Sequence, residues 1–215
     1  MKRVVSIINC GTGNLLSVKN WLSYVGVVGK VVKESEDVRN AETLILPGVG
    51  AFSGGMDGLK KHLLIEPIRE FIKTGRPLLG ICLGMQMLME YSEEFVRCEG
   101  LGIIPGRVEP VPDTKRDGQL HKIPHIGWSS IHSIMNKKEE CNGKFYDSTL
   151  DNKNFYFLHS FMVVPSDDAY RVADTYYNGR RICAIIGKDN FFGCQFHPEK
   201  SGKNGLKILR NFLAL

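Results

Sequence analysis

The chain has 215 residues, 43% of them hydrophobic, which is enough apolar side chain to bury a core within one compact domain spanning 1–215 and excludes a disordered protein. Its 28 basic and 23 acidic residues leave a formal charge of +5, with no run of five like charges, so a nucleic-acid-binding stripe is excluded. The six cysteines lack CxxC or zinc-finger spacing, no stretch reaches the roughly 18 apolar residues of a membrane helix, and the run Val4–Ile8 is too short for a secretory signal, so a soluble, cytoplasmic protein with reduced thiols and no metal is expected.

Along the first half, short apolar runs alternate with helical patterns, as in an α/β fold with parallel strands. Val4 to Asn9 is expected to be a buried strand, and the turn Gly11-Thr12-Gly13-Asn14 follows it. That turn lacks the third glycine of a dinucleotide fingerprint. Leu15, Val18, Leu22 and Val25 mark one helix face. Val31 and Val32 suggest a second strand, and Thr43 to Leu46 a third, ending at Pro47. One longer helical pattern covers Gly55 to Gly75. Pro77 to Cys82 is a fourth strand that runs straight into a helix from Leu83 to Tyr91.

Prolines break the second half into shorter extended pieces. Arg107 to Val111, Tyr156 to Val164, Arg171 to Tyr177, Ile182 to Ile186 and Phe191 to Phe196 are expected strands, and Lys203 to Phe212 a closing amphipathic helix. Pro112 to Asn154 is the least regular segment, with an exposed polar loop expected over Asn136 to Asn142.

Gly80-Ile81-Cys82-Leu83-Gly84 stands where an apolar strand meets a helix, the G-x-nucleophile-x-G pattern with cysteine as nucleophile. A sharp turn there lifts the side chain out of the sheet, and the helix N-terminus favours its thiolate. The Leu83 amide is then placed as an oxyanion donor. Attack on an amide also needs a base held by a partner, and His197 and Glu199 of Phe196-His197-Pro198-Glu199 supply both, pointing to one side of an extended chain. His159 is the rival base. Pro47-Gly48-Val49-Gly50, just after the third strand, is a candidate second oxyanion element, since its glycines let N–H groups turn toward a carbonyl.

Together these motifs resemble the class I (triad) glutamine amidotransferases, and within them the glutaminase subunits of imidazole glycerol phosphate synthases. The resemblance spans nearly the whole chain. It is carried by Leu46-Pro47-Gly48-Val49-Gly50, Gly80 to Gln86, Pro124-His125-Ile126-Gly127-Trp128 and Gln195-Phe196-His197-Pro198-Glu199-Lys200-Ser201. It implies a flavodoxin-like three-layer αβα sandwich without cofactor. It further implies that Cys82 attacks glutamine, His197 serves as base and then acid, and Glu199 orients it. Val49, Gly50 and Leu83 would stabilise the oxyanion, while Gln86, Glu94, Ser160 and Gly48 would line the glutamine pocket. The implied partner is a synthase subunit, a cyclase, which forms a heterodimer and receives ammonia through a channel. His125, Trp128 and Tyr156 would lie at that interface and ammonia exit, although Trp128 reads equally as a core aromatic.

Three positions depart from the family pattern: Asn9-Cys10 replaces Asp-Tyr, Ser129 a common Asn, and Phe161 a Tyr. They lie near partner-facing elements, which leaves open a paralogous role beside a sugar amidotransferase of surface-polysaccharide synthesis. A free-standing cysteine hydrolase of the same fold usually has His after the nucleophile, where this chain has Leu83.

Overall fold

A computed structural model describes residues 2–134 and 145–215. The first half builds β1 (Val4–Ile8), α1 (Leu15–Ser23), β2 (Val28–Val32), α2 (Ser35–Arg39), β3 (Leu44–Gly48), α3 (Phe52–Lys61), α4 (Ile65–Lys73), β4 (Leu78–Cys82) and α5 (Leu83–Met87). The second half adds β5 (Met89–Ser92), β6 (Cys98–Glu99), β7 (Ile104–Pro110), β8 (His125–Ser133), β9 (Asn154–His159), β10 (Phe161–Pro165), β11 (Arg171–Tyr177), β12 (Arg180–Lys188), β13 (Phe191–Cys194) and α6 (Gly202–Leu213).

Nine strands form one sheet in the order β2-β1-β3-β4-β13-β12-β11-β8-β9. Its first five strands are parallel and follow the flavodoxin-like order, with β13 as the fifth. The remaining pairs are antiparallel. Along β3, Leu44 and Leu46 pack to one face and Ile45 to the other, and the two faces carry separate cores. Helices α2 to α5 cover one face through residues such as Val38, Phe52, Met56, Phe71 and Met85. Trp21 and Leu22 of α1, with Leu209 and Phe212 of α6, cover the other. Among the described residues no helix is long and apolar enough to cross a membrane.

Several expected elements are corrected. The pattern from Gly55 to Gly75 is two helices, because Leu63 adopts φ 54° after α3 and Pro67, in the first turn of α4, has no N–H to continue a helix. The helix after Cys82 ends at Met87 rather than Tyr91. The amides of Leu101, Ile103 and Gly102 donate to the carbonyls of Met87, Leu88 and Met89 at 2.8, 2.9 and 3.0 Å, taking the acceptors that a longer helix would use. Met89–Ser92 becomes a strand of a second, four-stranded sheet, β10-β7-β5-β6. The run Tyr156 to Val164 divides at Ser160, so β9 joins the large sheet and β10 the small one. Strand β8 occupies part of the segment read as irregular, and the loop expected over Asn136 to Asn142 lies outside the described residues.

One packing constraint is testable. A Cβ on Gly84 would sit 1.7 Å from the Leu46 carbonyl oxygen, a backbone atom that cannot step aside, whereas one on Gly54 of α3 meets nothing within 4 Å. Gly84→Ala is expected to cost ~3 kcal/mol or more in denaturant unfolding, and Gly54→Ala to be stabilising by about 0.5–1 kcal/mol. Equal effects would refute the close approach.

Candidate active site

Cys82 ends β4 and caps α5 with φ 54° and ψ −110°, a left-handed conformation unusual for a residue with a Cβ. The flanking glycines allow the turn. A Cβ on Gly80 would lie 2.8 Å from the Gly84 carbonyl group, and Gly84 itself lies against β3. Gly48 serves the same contact, because its Cβ would come 2.9 Å from that of Leu83. The ladder of β3 and β4 pairs Gly48 with Cys82, which sets the Pro47–Gly50 turn beside that cysteine. Beyond it Val49 is 40% exposed, and Gly50 takes φ 90°.

His197 is 2% exposed, and its Nδ1 lies 2.9 Å from Glu199 Oε1. The two meet across a short 3-10 turn, Pro198–Lys200, rather than along the extended chain expected from sequence. Since a carboxylate only accepts, Nδ1 carries the proton and Nε2 is the basic nitrogen. Among the described residues that Nε2 has no hydrogen-bond partner. Burial opposes a charge on this ring, but Cys82 and Glu199 outweigh it and hold the imidazole well above its ordinary value. No hydrogen bond joins His197 Nε2 to the Cys82 sulfur, so the thiol acts on the ring through its charge.

Strand β9 holds both groups by its backbone. The Tyr156 carbonyl accepts from the His197 amide at 2.9 Å, and the Tyr156 amide donates to Ser201 Oγ at 3.0 Å. Ser201 Oγ in turn donates to the His197 carbonyl at 2.7 Å. Two residues along the strand, the Leu158 carbonyl accepts from Cys82 Sγ at 3.8 Å. The outward side chains of the same strands form an apolar row. Ile126 is 51%, Trp128 58% and Leu158 38% exposed, and Trp128 pairs across the ladder with Tyr156, ring centroids 6.0 Å apart. The reading of Trp128 as a core aromatic is therefore corrected.

His125 does not belong to that row. It alternates inward, 1% exposed, and stacks on Phe157 and Tyr177 at 4.9 and 4.2 Å, which corrects its placement at the interface. Its Nδ1 lies 3.0 Å from His159 Nε2, and His159 Nδ1 lies 2.9 Å from the Phe161 carbonyl. Because a carbonyl only accepts, His159 donates from Nδ1 and receives the His125 Nδ1 proton at Nε2. Ser129 Oγ, 2.9 Å from His125 Nε2, donates at the other end. Burial, with the nearby His125 and His197, lowers His159 to about 3. Burial, with His121, lowers His125 to about 4. With both nitrogens engaged, His159 is no rival to His197 as base.

The expected pocket residues are partly committed elsewhere. Gln86 is buried, and its Nε2 donates to the Phe161 carbonyl and to Gln195 Oε1, both at 3.1 Å. Glu94 accepts from the Phe52 amide at 2.6 Å, capping the first turn of α3 just beyond Gly50. Ser160 is half-buried at the junction of β9 and β10, its carbonyl accepting from Val111. Gln195 went unassigned in the sequence reading. The signal for it was a polar residue inside the otherwise apolar run Phe191 to Phe196, which the structure buries completely.

A family model for glutamine amidotransferase class-I matches residues 6–215. The chain is 49% identical over 211 residues to imidazole glycerol phosphate synthase subunit HisH 1 of Legionella pneumophila (strain Lens), covering 98% of this chain and 99% of that one. It is 43% identical to subunit HisH of Syntrophotalea carbinolica, covering 97% and 98%. A solved structure of PurLQS from Thermotoga maritima shares the fold with a TM-score of 0.73 at 20% identity, over 100% of this chain and 99% of that one.

The histidines set an acid limit on stability. His125 and His159 bind protons less readily folded than unfolded, so their contribution is complete above about 6.5 and is lost as pH falls toward 4 and 3. At pH 5 that is roughly 2 kcal/mol each relative to pH 7.5. His197, shifted upward, binds protons more readily folded, and over the same interval gives back roughly 1 kcal/mol. A net loss of roughly 2 to 3 kcal/mol in denaturant unfolding from pH 7.5 to 5 is expected. A flat or rising profile would contradict the neutral buried pair.

Proposed function

Since the chain belongs to the class-I glutamine amidotransferases, we propose that it is the glutaminase subunit of an imidazole glycerol phosphate synthase in histidine biosynthesis, with Cys82, His197 and Glu199 as its triad. The observation that carries the reading is the arrangement of a strained cysteine, a buried histidine with an unpartnered Nε2 and a carboxylate 2.9 Å from its Nδ1.

In this reading the Cys82 thiolate attacks the side-chain carbonyl carbon of glutamine, and the amides of Leu83 and Val49, with Gly50 allowing the turn, receive the charge on oxygen. His197, which takes the Cys82 thiol proton at Nε2 as the thiolate forms, gives that proton to the departing nitrogen, so ammonia leaves and a glutamyl thioester remains. His197 then takes a proton from water, which attacks the thioester. Glutamate leaves, and the thiol regains its proton. Glu199 keeps the ring in the Nδ1–H tautomer throughout. Of the glutamine-pocket residues, Gln86 retains only its Oε1 for substrate, because both its N–H groups are engaged.

Ammonia is useful only where it is consumed, so the site must meet an acceptor subunit. The apolar row of Ile126, Trp128, Tyr156 and Leu158 suits that contact, and a cyclase subunit docked there receives ammonia through a heterodimer interface.

Glutamate release by the pure chain is expected to be slow and to rise strongly with the cyclase subunit and its nucleotide substrate. Absence of stimulation, with Cys82 still labelled by a glutamine analogue, would move the assignment to another partner such as a sugar amidotransferase. Cys82→Ser should abolish turnover in a folded protein, and His197→Asn should lower kcat by roughly 10³-fold or more. Trp128→Ala should weaken stimulation at least tenfold while Cys82 alkylation changes less than twofold. Loss of folding in that variant would instead restore Trp128 to the core.

A further inference from the structure

Two neighbours of the Cys82 sulfur favour opposite protonation states. The Leu158 carbonyl accepts from Sγ at 3.8 Å, a contact that only the protonated thiol can make. Gln195 Nε2 lies 3.8 Å from the sulfur on its donor side, a contact that strengthens when the sulfur is a thiolate.

Which end of the Gln195 amide faces the sulfur follows from its partners. The Phe161 carbonyl can only accept, so the group of Gln86 that meets it at 3.1 Å is the NH2. That same NH2 lies 3.1 Å from the Gln195 side chain, which must present its oxygen. The Gln195 NH2 is therefore left for Cys82. The backbone adds to this, since the Gln195 amide donates to the Ala184 carbonyl at 2.9 Å and the side chain is fully buried. Each donor in the series thus points toward an acceptor fixed by the one before it.

We propose that Gln195 is a positioning residue for the nucleophile, its amide oriented by Gln86 and the Phe161 carbonyl so that it draws the sulfur away from the Leu158 carbonyl and favours the thiolate. The inference rests on the reading of Cys82 as the nucleophile. Gln195 touches neither glutamine nor ammonia and acts through the thiol alone.

The test is the pH profile of Cys82 alkylation by iodoacetamide in the full chain, followed with glutamine kinetics of the complex. Gln195→Met, which keeps the volume and removes the donor, should move the midpoint of the profile up by about half a unit to one unit. It should lower kcat about tenfold with KM within twofold. Gln195→Glu keeps the acceptor for Gln86 and should move the midpoint further, which preserves the test if the methionine variant does not fold. A folded variant with an unmoved midpoint would overturn the proposal, as would a rise in KM at constant kcat, which would make Gln195 a substrate contact. Cys82→Ser separates the two readings. If labelling and turnover survive in that variant, the nucleophile assignment fails and the proposal with it. If both vanish while the Gln195 midpoints stay fixed, only the positioning role fails.

Discussion

The site depends on one close approach, that of the α5 backbone to strands β3 and β4. Gly84 lies so near the Leu46 carbonyl, and Gly80 so near Gly84, that neither position has room for a methyl group. This contact accompanies the left-handed conformation of Cys82 and sets it at the C-terminal end of β4, within the sheet. It also places the Pro47–Gly50 turn beside Cys82, because Gly48 and Cys82 are paired in the same ladder. The cost of a strained residue is borne by the cores on both faces of the sheet, which fix β3 and β4 from either side. A looser elbow would separate the thiol from His197, which reaches it from β13 by way of a turn held on β9.

Beyond the elbow, polarity is arranged in short directed series. Ser129, His125, His159 and the Phe161 carbonyl form one, and Gln86, Gln195 and Cys82 form another that meets the same carbonyl. Each is settled by a single group that can only accept. Burial makes these series expensive to break, because an orphaned amide or imidazole has no water to turn to. The neutral buried histidines therefore serve as structure, while the buried His197 keeps an Nε2 with no partner among the described residues.

Much of this was legible in the sequence. The four parallel strands of the first half and the helix after the first of them follow from apolar periodicity, whereas α2 and the division between α3 and α4 do not, and the glycines around Cys82 announce a turn that a strand-to-helix junction needs. His197 and Glu199 are close in sequence, so their pairing needs little tertiary information. What could not be read depends on partners distant along the chain. Periodicity carried the helix after Cys82 on to Tyr91, but the amides of residues 101 to 103 capture its carbonyls and turn the chain into a strand. His125 looked like an interface residue within an exposed motif, yet strand alternation turns it inward beside Phe157. The division of Tyr156 to Val164 at Ser160 was hidden, since the residues on both sides have the composition of one strand. Gln195 drew no role because its importance lies in a sulfur 113 residues away.

Strand β9 shows alternate side chains to the outside and two of its carbonyls to His197 and Cys82. Tyr156 and Leu158 present rings and methyls to whatever docks there, while their main-chain oxygens rest on the His197 amide and the Cys82 thiol. Every amino acid brings the same carbonyl, so the outer surface of this strand can be rewritten without disturbing the inner one. Such a division separates the exposed row on the exterior from the backbone contacts that hold His197 and Cys82. The departure at Ser129 lies on the inward side of the same ladder, where its hydroxyl meets His125, and so falls outside that freedom.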